Sequence, residues 1–249
     1  MSLSDDTFPL DIVLPVHNEG ASIAQTLIEF HDQAQKDQIP IRFVICEDGS
    51  KDNTVEVIRS LESRLPILFL TSPERKGYSK AVIDGFRASR SDRVGFIDSD
   101  GQCDPRDLKS LVDAMNQNSH LDLVMGYRNP RSDHWIRLLM SGLFKGVYSF
   151  FFKVPVRDPS CPYLLIRKPA LSQILGGQVG ILKQGFWWEF IARAVALRLK
   201  LIELPVHHRN RSSGVTQVYR VSQVPKIAFQ HLLGLFTLKR ELSKISKNG

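Results

Sequence analysis

The sequence predicts an α/β fold, a mostly parallel sheet flanked by helices, with C-terminal amphipathic helices. Short β-branched runs alternate with helical periodicity through residues 1–127, and such alternation is typical of parallel sheets with right-handed crossovers. The 249 residues suffice for one large domain with an extension. A content of 43% hydrophobic and 24% charged residues excludes disorder and low complexity.

The elements of residues 1–127 follow from their bounding residues. Ser50 and Asp52 form a cap region before the second helix, and Pro105 lies in the first turn of the fourth. The predicted strands are Leu10–Val16, Ile41–Cys46, Ile67–Leu70, Arg93–Ile97 and Leu121–Met125, and the predicted helices are Ala21–Gln35, Asp52–Leu61, Tyr78–Ser89 and Pro105–Asn116.

The pattern changes after residue 127. Adjacent Trp187 and Trp188 cannot share one helix face, so at least one of them is expected in the core. We predict one domain over residues 1–219 and a C-terminal amphipathic basic helix over 220–249. The segments after residue 127 are an apolar segment Trp135–Phe152, a strand Tyr163–Ile166, a helix Trp187–Leu199, a strand Leu201–Val206, a basic loop 207–219 and a helix Ser222–Leu242.

Charge is distributed unevenly along the chain. Residues 1–127 hold 13 basic and 21 acidic residues, whereas residues 128–249 hold 20 basic and 5 acidic ones. A basic half of this kind suits nucleic acid, anionic lipid or a phosphorylated substrate, or is simply a solvated basic surface.

Membrane-spanning and secreted classes are disfavoured. The most apolar stretch, Leu138–Val156, is interrupted by Lys145 and Lys153. The N-terminus has two acids and no basic region of the kind that begins a signal peptide. Three widely spaced cysteines match neither a zinc site nor a disulfide framework and suit a reducing cytoplasm; they are Cys46, Cys103 and Cys161.

Acidic residues follow three of the predicted strands, and ligands of parallel sheets bind at the carboxyl ends of strands. Carboxylates gathered there repel each other and need a cation or donor groups. Asp98, Asp100 and Gln102 are hard oxygen ligands suited to Mg²⁺ or Mn²⁺, although an Asp-rich turn or helix cap has the same pattern. Asp48 could accept hydrogen bonds from a nucleobase or form a plain Asp-Gly turn, and Cys46 is typical of a small buried apolar residue.

Five ordered motifs resemble those of family 2 glycosyltransferases. The motifs are PVHNE, EDGSKDNT, DSDGQCDP, GYR at 126–128 and R-x-x-G-x-T at 211–216. The resemblance is nearest to the dolichol-phosphate mannosyltransferase-like branch, which has a GT-A fold, and it runs from about residue 10 to about residue 217.

The resemblance implies roles for individual residues. Arg137 and Ser141 would grip an acceptor phosphate, while Arg128 and Arg211 would neutralise diphosphate and acceptor charge. Asp100 would act in catalysis as a metal ligand. The nucleotide-sugar site would comprise Pro15, His17, Glu19, Cys46, Asp48, Asp98 and Ser99, and the metal site Asp98, Asp100 and Gln102.

Sugar transfer from a nucleotide builds negative charge on the leaving group, which a divalent cation and two arginines stabilise. A phosphate acceptor needs no general base, whereas a hydroxyl acceptor requires one. Glu189 is the first candidate for such a base and Asp158 the second. Glu189 is otherwise a helix-surface or arginine-paired acid, and Asp158 a turn residue before Pro159.

The resemblance therefore predicts an inverting glycosyltransferase with a donor of the GDP-mannose or UDP-glucose type and a polyprenyl phosphate acceptor. Residues 134–153 and 222–242 have apolar faces edged by basic residues, so we expect peripheral binding at an anionic, cytoplasmic membrane face. These segments could instead pack on the sheet or form a homo-oligomer. The alternatives are a hydroxyl or saccharide acceptor, a nucleotidyltransferase, and a basic nucleic-acid-binding protein, which the acidic first half disfavours.

Overall fold

A computed structural model describes residues 8–129, 135–177, 179–182, 185–210 and 224–248. In chain order the elements are β1 (Leu10–Val16), α1 (Ile23–Lys36), β2 (Ile41–Glu47), α2 (Thr54–Leu61), β3 (Ile67–Leu70), α3 (Tyr78–Ala88), β4 (Arg93–Phe96), α4 (Asp107–Gln117), β5 (Leu123–Arg128), α5 (Trp135–Phe151), β6 (Leu164–Arg167), α6 (Lys168–Leu175), α7 (Phe186–Ala196), β7 (Leu201–Val206) and α8 (Val224–Asn248).

The strands form one sheet in the order β3-β2-β1-β4-β6-β5-β7. Every pairing is parallel except those of β6, which runs antiparallel to both β4 and β5. The predicted mostly parallel sheet is therefore confirmed. Because β1 lies between β2 and β4, the carboxyl ends of these three strands are neighbours.

Both faces of the sheet are covered, which explains why β1 and β2 are mostly apolar rather than alternating, apart from the paired Asp11 and Arg42. One face packs on α1, α2 and α4, with Phe30 and Leu111 in its core. The other packs on α3, α6 and α7, with Phe86 and Phe190 in its core. A third cluster joins α7 to α5 and α8 through Tyr148, Trp188, Leu235 and Leu238.

Several element bounds differ from the sequence prediction. Helix α1 begins at Ile23 rather than Ala21, and α8 covers Val224–Asn248 rather than Ser222–Leu242. Helix α6 was not predicted, because it follows β6 with no turn residue between them. Trp187 and Trp188 are both buried, in different clusters, so neither is an interfacial anchor.

All three cysteines are free and buried. Desolvation raises the pKa of Cys46 and of Cys161 to about 12, so both thiols are protonated and unreactive near neutral pH. Within the described part of the chain, no helix is long and apolar enough to cross a membrane.

Candidate active site

A cavity of about 250 Å³ lies where β1, β2 and β4 end. It contains seven residues that the sequence analysis assigned to the donor or metal site, brought together from three separate motifs. Four further residues complete its wall, and the sequence analysis gave none of them a role there. The predicted residues are Pro15, His17, Glu19, Asp48, Asp98, Ser99 and Asp100; the added ones are Val16, Arg75, Tyr78 and Ala81.

Hydrogen bonds fasten the loop after β1 to the loop after β2. Asn18, with φ of 54°, receives a hydrogen bond on its Oδ1 from the Lys51 amide at 2.8 Å, and its own amide donates to Ser50 Oγ at 3.0 Å. The left-handed backbone of Asn18 turns the chain directly after His17. His17 Nε2 lies 3.2 Å from the Asn18 side-chain amide, whereas His17 Nδ1 is buried with no hydrogen-bond partner.

Asp48 holds the loop after β3 against the end of β2. Its Oδ1 accepts the Lys76 amide at 2.6 Å and its Oδ2 the Gly77 amide at 2.9 Å. Gly77 has φ of 94°, a conformation that glycine adopts without strain. Arg75 Nε lies 4.0 Å from Asp48 Oδ2, on the cavity wall. Asp48, the first residue of the Asp-Gly turn, therefore also holds the loop after β3 in place.

Lys76, the residue after Arg75, pairs with Asp84 on α3. Arg75 is the basic side chain at the donor cavity from this loop, and Lys76 and Lys80 line a separate cavity of about 270 Å³. Residue type and spacing alone do not distinguish these three neighbouring cations.

Asp98 and Asp100 follow β4 on the cavity wall. The Asp98 Oδ1 accepts a hydrogen bond from Tyr78 at 2.9 Å, and Asp100 Oδ1 accepts the Gln102 amide at 3.1 Å. Among the described residues no group of three or more His, Cys, Asp or Glu side chains is arranged to hold a metal. Two carboxylates nevertheless fit Mg²⁺, which commonly uses one or two carboxylates together with waters and substrate phosphates.

Gln102 does not line the cavity, contrary to the predicted metal ligation. Its Nε2 donates to the Arg209 carbonyl at 3.2 Å, and Arg209 bridges Glu29 and the buried Asp104. Burial raises the pKa of Asp104, but hydrogen bonds from Arg106 and Arg209 outweigh it and hold that pKa well below its usual range. Gln102 thus belongs to a scaffold that fixes the acidic loop to the segment after β7.

Cys46 was predicted to contact the nucleobase, and the structure contradicts that. Its side chain packs in the cluster beneath α3, with Sγ 3.9 Å from the Val44 carbonyl, and it does not line the cavity. Successive residues of a strand point to opposite faces, and Cys46 lies on the α3 face of β2. The interpretation of Cys46 as a small buried apolar residue is confirmed.

Arg128 is engaged in a buried ion pair. Its Nε donates to Asp158 Oδ2 at 2.7 Å and its Nη2 to Asp158 Oδ1 at 2.9 Å, and Nη2 also reaches Ser160 Oγ at 2.6 Å. Both side chains of the pair are less than 10% exposed. Neither residue lines the donor cavity, so the predicted contact of Arg128 with the diphosphate and the predicted base role of Asp158 do not fit this geometry.

Glu189 is completely buried and lies on α7, away from the cavity wall. Its carboxylate accepts hydrogen bonds from the Gly180 and Leu182 amides and from Arg193 Nε at 2.9 Å. Arg193 continues to Glu241 of α8 at 3.0 Å. This buried position does not fit the predicted general base, whereas the alternative of an arginine-paired acid is confirmed.

Three further predicted residues cannot be placed with the others. Arg211 lies outside the described residues, and Arg137 and Ser141 lie on α5 at positions whose side chains are not described. Tyr78 and Arg75, by contrast, are site residues that sequence reasoning missed. The signal that could have found them is their position beside Gly77, directly after a strand end.

A family model described as glycosyl transferase family 2 matches residues 11–175. Undecaprenyl-phosphate 4-deoxy-4-formamido-L-arabinose transferases of Edwardsiella ictaluri and Aeromonas hydrophila are 26% and 28% identical, over 82% and 91% of this chain. The chain spans 61% and 65% of the length of these two relatives. Dolichyl-phosphate beta-glucosyltransferase of Dictyostelium discoideum is 23% identical over 94% of this chain and 78% of its own.

Among solved structures, glucosyl-3-phosphoglycerate synthase of Mycobacterium tuberculosis is similar in fold. Its complex with Mn²⁺, UDP and glucosyl-3-phosphoglycerate aligns with a TM-score of 0.64 at 18% identity, over 93% of this chain and 80% of the synthase chain. An identity this low establishes the fold alone. The GT-A-type fold predicted from the sequence is confirmed by this likeness.

Proposed function

Because the chain belongs to the family 2 glycosyltransferases, we propose that it transfers a sugar from a nucleotide-sugar donor to a polyprenyl phosphate, with Mg²⁺ or Mn²⁺. The donor would be of the GDP-mannose or UDP-glucose type. The similar proteins named as undecaprenyl-phosphate and dolichyl-phosphate sugar transferases support this acceptor class.

One observation carries the proposal: three adjacent parallel strands deliver carboxylates to a single cavity. Asp48, Asp98 and Asp100 come from two separate motifs, and His17 comes from a third. The buried Nδ1 of His17 has no hydrogen-bond partner, and a buried polar atom without one is costly unless a ligand supplies it. We assign this cavity to the nucleotide end of the donor.

Asp98 and Asp100 are the residues that would hold the divalent cation. A bound cation supplies Lewis-acid stabilisation of the diphosphate leaving group. Around it, Asp48 fixes the loop that carries Arg75, and the Arg75 guanidinium adds positive charge to the wall on which the diphosphate would lie. Gln102 keeps the acidic loop in place rather than joining the metal ligands.

A phosphate acceptor is favoured over a hydroxyl acceptor by the state of the two candidate bases. Glu189 is buried with Arg193, and Asp158 is paired with Arg128, so each carboxylate is occupied in holding the fold. A phosphate oxygen that is already anionic attacks without losing a proton, so this transfer needs no general base.

We further propose that the protein lies on an anionic membrane surface. An apolar face on α5 and α8, made of the exposed side chains of Val147, Phe150, Leu232, Leu233 and Phe236, is continuous because the rings of Phe151 and Phe236 are 4.8 Å apart. Phe150 is 83% exposed and Phe236 57%. Exposed basic residues accompany this face, as expected for a lipid interface: Lys145, Lys239, Arg240 and Lys244.

A donor screen followed by a transfer assay tests the proposed function. GDP-mannose and UDP-glucose are added separately with MnCl₂ or with EDTA, and the melting temperature is recorded, because a ligand that binds the folded state raises it. We expect one donor to raise it, and to raise it further with Mn²⁺ than with EDTA. Transfer is then measured to a polyprenyl phosphate and to a free saccharide, and transfer to the saccharide alone would contradict the proposal.

A further inference from the structure

Tyr78 joins three separate elements at the donor cavity. It is the first residue of α3, its ring lies on the cavity wall, and its hydroxyl is 2.9 Å from Asp98 Oδ1, after β4. The same hydroxyl is 2.9 Å from Nε1 of Trp187, on α7. The chain Trp187–Tyr78–Asp98 therefore runs from a buried indole to a carboxylate on the wall.

Elementary hydrogen-bond chemistry fixes the direction of this chain. An indole nitrogen can only donate, so the Tyr78 oxygen accepts from Trp187 and its own proton is left for Asp98. An ionised carboxylate can only accept, which completes the orientation.

Packing holds the tyrosine and the indole in place. The Trp187 ring contacts Phe96 at 4.4 Å between centroids, and Phe96 is the last residue of β4. Tyr78 contacts the same Phe96 ring at 6.5 Å. Because the buried side chains leave the indole little freedom, the hydroxyl of Tyr78 is held at one point beside Asp98.

From this geometry we infer that Tyr78 is a positioning residue for the divalent cation: it orients the Asp98 carboxylate through its hydroxyl, and Trp187 in turn orients Tyr78. This role rests on the proposed function, since it assigns Asp98 to the metal. Hydrogen-bond partners of a metal ligand fix its orientation, and losing one typically costs 10- to 100-fold in metal affinity.

The test is Tyr78→Phe, which removes the hydroxyl and keeps the ring. MnCl₂ is titrated into the protein with UDP or GDP present, and free Mn²⁺ is followed by its electron paramagnetic resonance signal. We expect Mn²⁺ affinity to fall by about tenfold, while nucleotide affinity in EDTA stays unchanged. Trp187→Phe, which removes the indole N–H together with part of the buried ring, should weaken Mn²⁺ binding in the same direction by a smaller factor.

Tyr148→Phe is the matched control. It removes a tyrosine hydroxyl that is buried away from the cavity and donates to the Trp188 carbonyl at 2.8 Å in the helical cluster, so Mn²⁺ affinity should be unchanged. Unchanged Mn²⁺ affinity in folded Tyr78→Phe would overturn the positioning role while leaving the proposed function intact. A parent protein that binds Mn²⁺ with neither nucleotide would overturn the proposed function and this role together.

Discussion

The donor cavity and the apolar face on α5 and α8 differ in how their side chains are held. Around the cavity, Asp48 and Asp98 each accept specific hydrogen bonds from neighbouring loops or helices. On the apolar face, Phe150 and Leu233 extend into solvent. A site that must place charges on a diphosphate gains from such preorganisation, whereas a surface that meets fluid lipid needs area and positive charge but no fixed partner.

This difference also explains the uneven charge of the chain. The acidic residues of the first half include those that gather at the strand ends, where a divalent cation would balance both them and the phosphates of the donor. Four exposed basic residues of the second half lie on the two helices of the apolar face, where they would meet anionic lipid. The net charge of +7 is therefore the sum of an acidic first half, suited to a cation, and a basic second half, suited to anionic lipid.

Asp100→Ala should have the largest effect of the changes considered. We expect metal-dependent donor binding to be lost and transfer to fall by about 10³-fold, roughly 4 kcal/mol, because a cation ligand at the leaving group is removed. Calorimetric titration of donor with and without Mn²⁺ measures this. Asp113→Ala, which removes an exposed partner of Lys109, should change neither donor binding nor transfer. Unchanged Mn²⁺ dependence of donor binding in Asp100→Ala would place the metal elsewhere.

Glu189→Gln separates the structural role of that acid from a chemical one. Leaving Arg193 partly uncompensated in the core should cost about 3 kcal/mol of unfolding free energy, measured by urea denaturation, with transfer per folded molecule unchanged. Glu241→Gln makes the same change at the more exposed partner of Arg193 and should cost less. A lower transfer rate at preserved stability would restore Glu189 as a general base and favour a hydroxyl acceptor.

Arg137→Ala tests whether α5 takes part in acceptor binding as well as in the apolar face. Positions 137 and 141 are one turn apart on this helix, so an arginine and a serine there can hold one phosphate. We expect transfer to polyprenyl phosphate to slow by about 10²-fold, the loss of one charged contact. Donor affinity should stay unchanged. In the control Arg59→Ala on α2, both the transfer rate and the donor affinity should stay unchanged. A loss of donor binding equal to the loss of transfer in Arg137→Ala would contradict an acceptor role.

Phe150→Asp should have the smallest of these effects. Removing one large apolar side chain from the interface costs about 2 kcal/mol, so partitioning to phosphatidylcholine–phosphatidylglycerol vesicles should fall by roughly 30-fold in a sedimentation assay. Gln173→Asp, which adds the same charge at an exposed position of α6, should bind like the parent, and salt should release both proteins. Lipid docking by this face would be contradicted if Phe150→Asp left vesicle binding unaffected. It would also be contradicted if the parent protein were a dimer that Phe150→Asp dissociates.

Much of the fold could be predicted because its signals are local. The strands β1, β2 and β4 are mostly apolar, and the acidic motifs lie at their carboxyl ends, so their convergence follows from parallel topology. Helix α6 and the antiparallel direction of β6 have no such signal, because direction depends on which edge the returning chain joins.

The errors at the site have one physical cause: a sequence gives the type of a residue but not the direction of its side chain. Cys46 lies within β2 and packs under α3, whereas Asp48 follows the end of β2 and lines the cavity. Arg128 and Glu189 carry the right chemistry for catalysis, but Asp158, distant in sequence, engages Arg128, and Arg193, one helical turn away, engages Glu189. The role of Tyr78 likewise depends on Trp187, 109 residues away.

The three buried thiols give the protein a built-in reporter of its own unfolding. Thiolates attack alkylating reagents, and burial raises the pKa of all three cysteines. Cys46 lies in the core on one face of the sheet, and Cys103 and Cys161 lie in the core on the other face. Iodoacetamide labelling followed by mass spectrometry would therefore count opening events of each core separately, without a fluorophore or an added mutation.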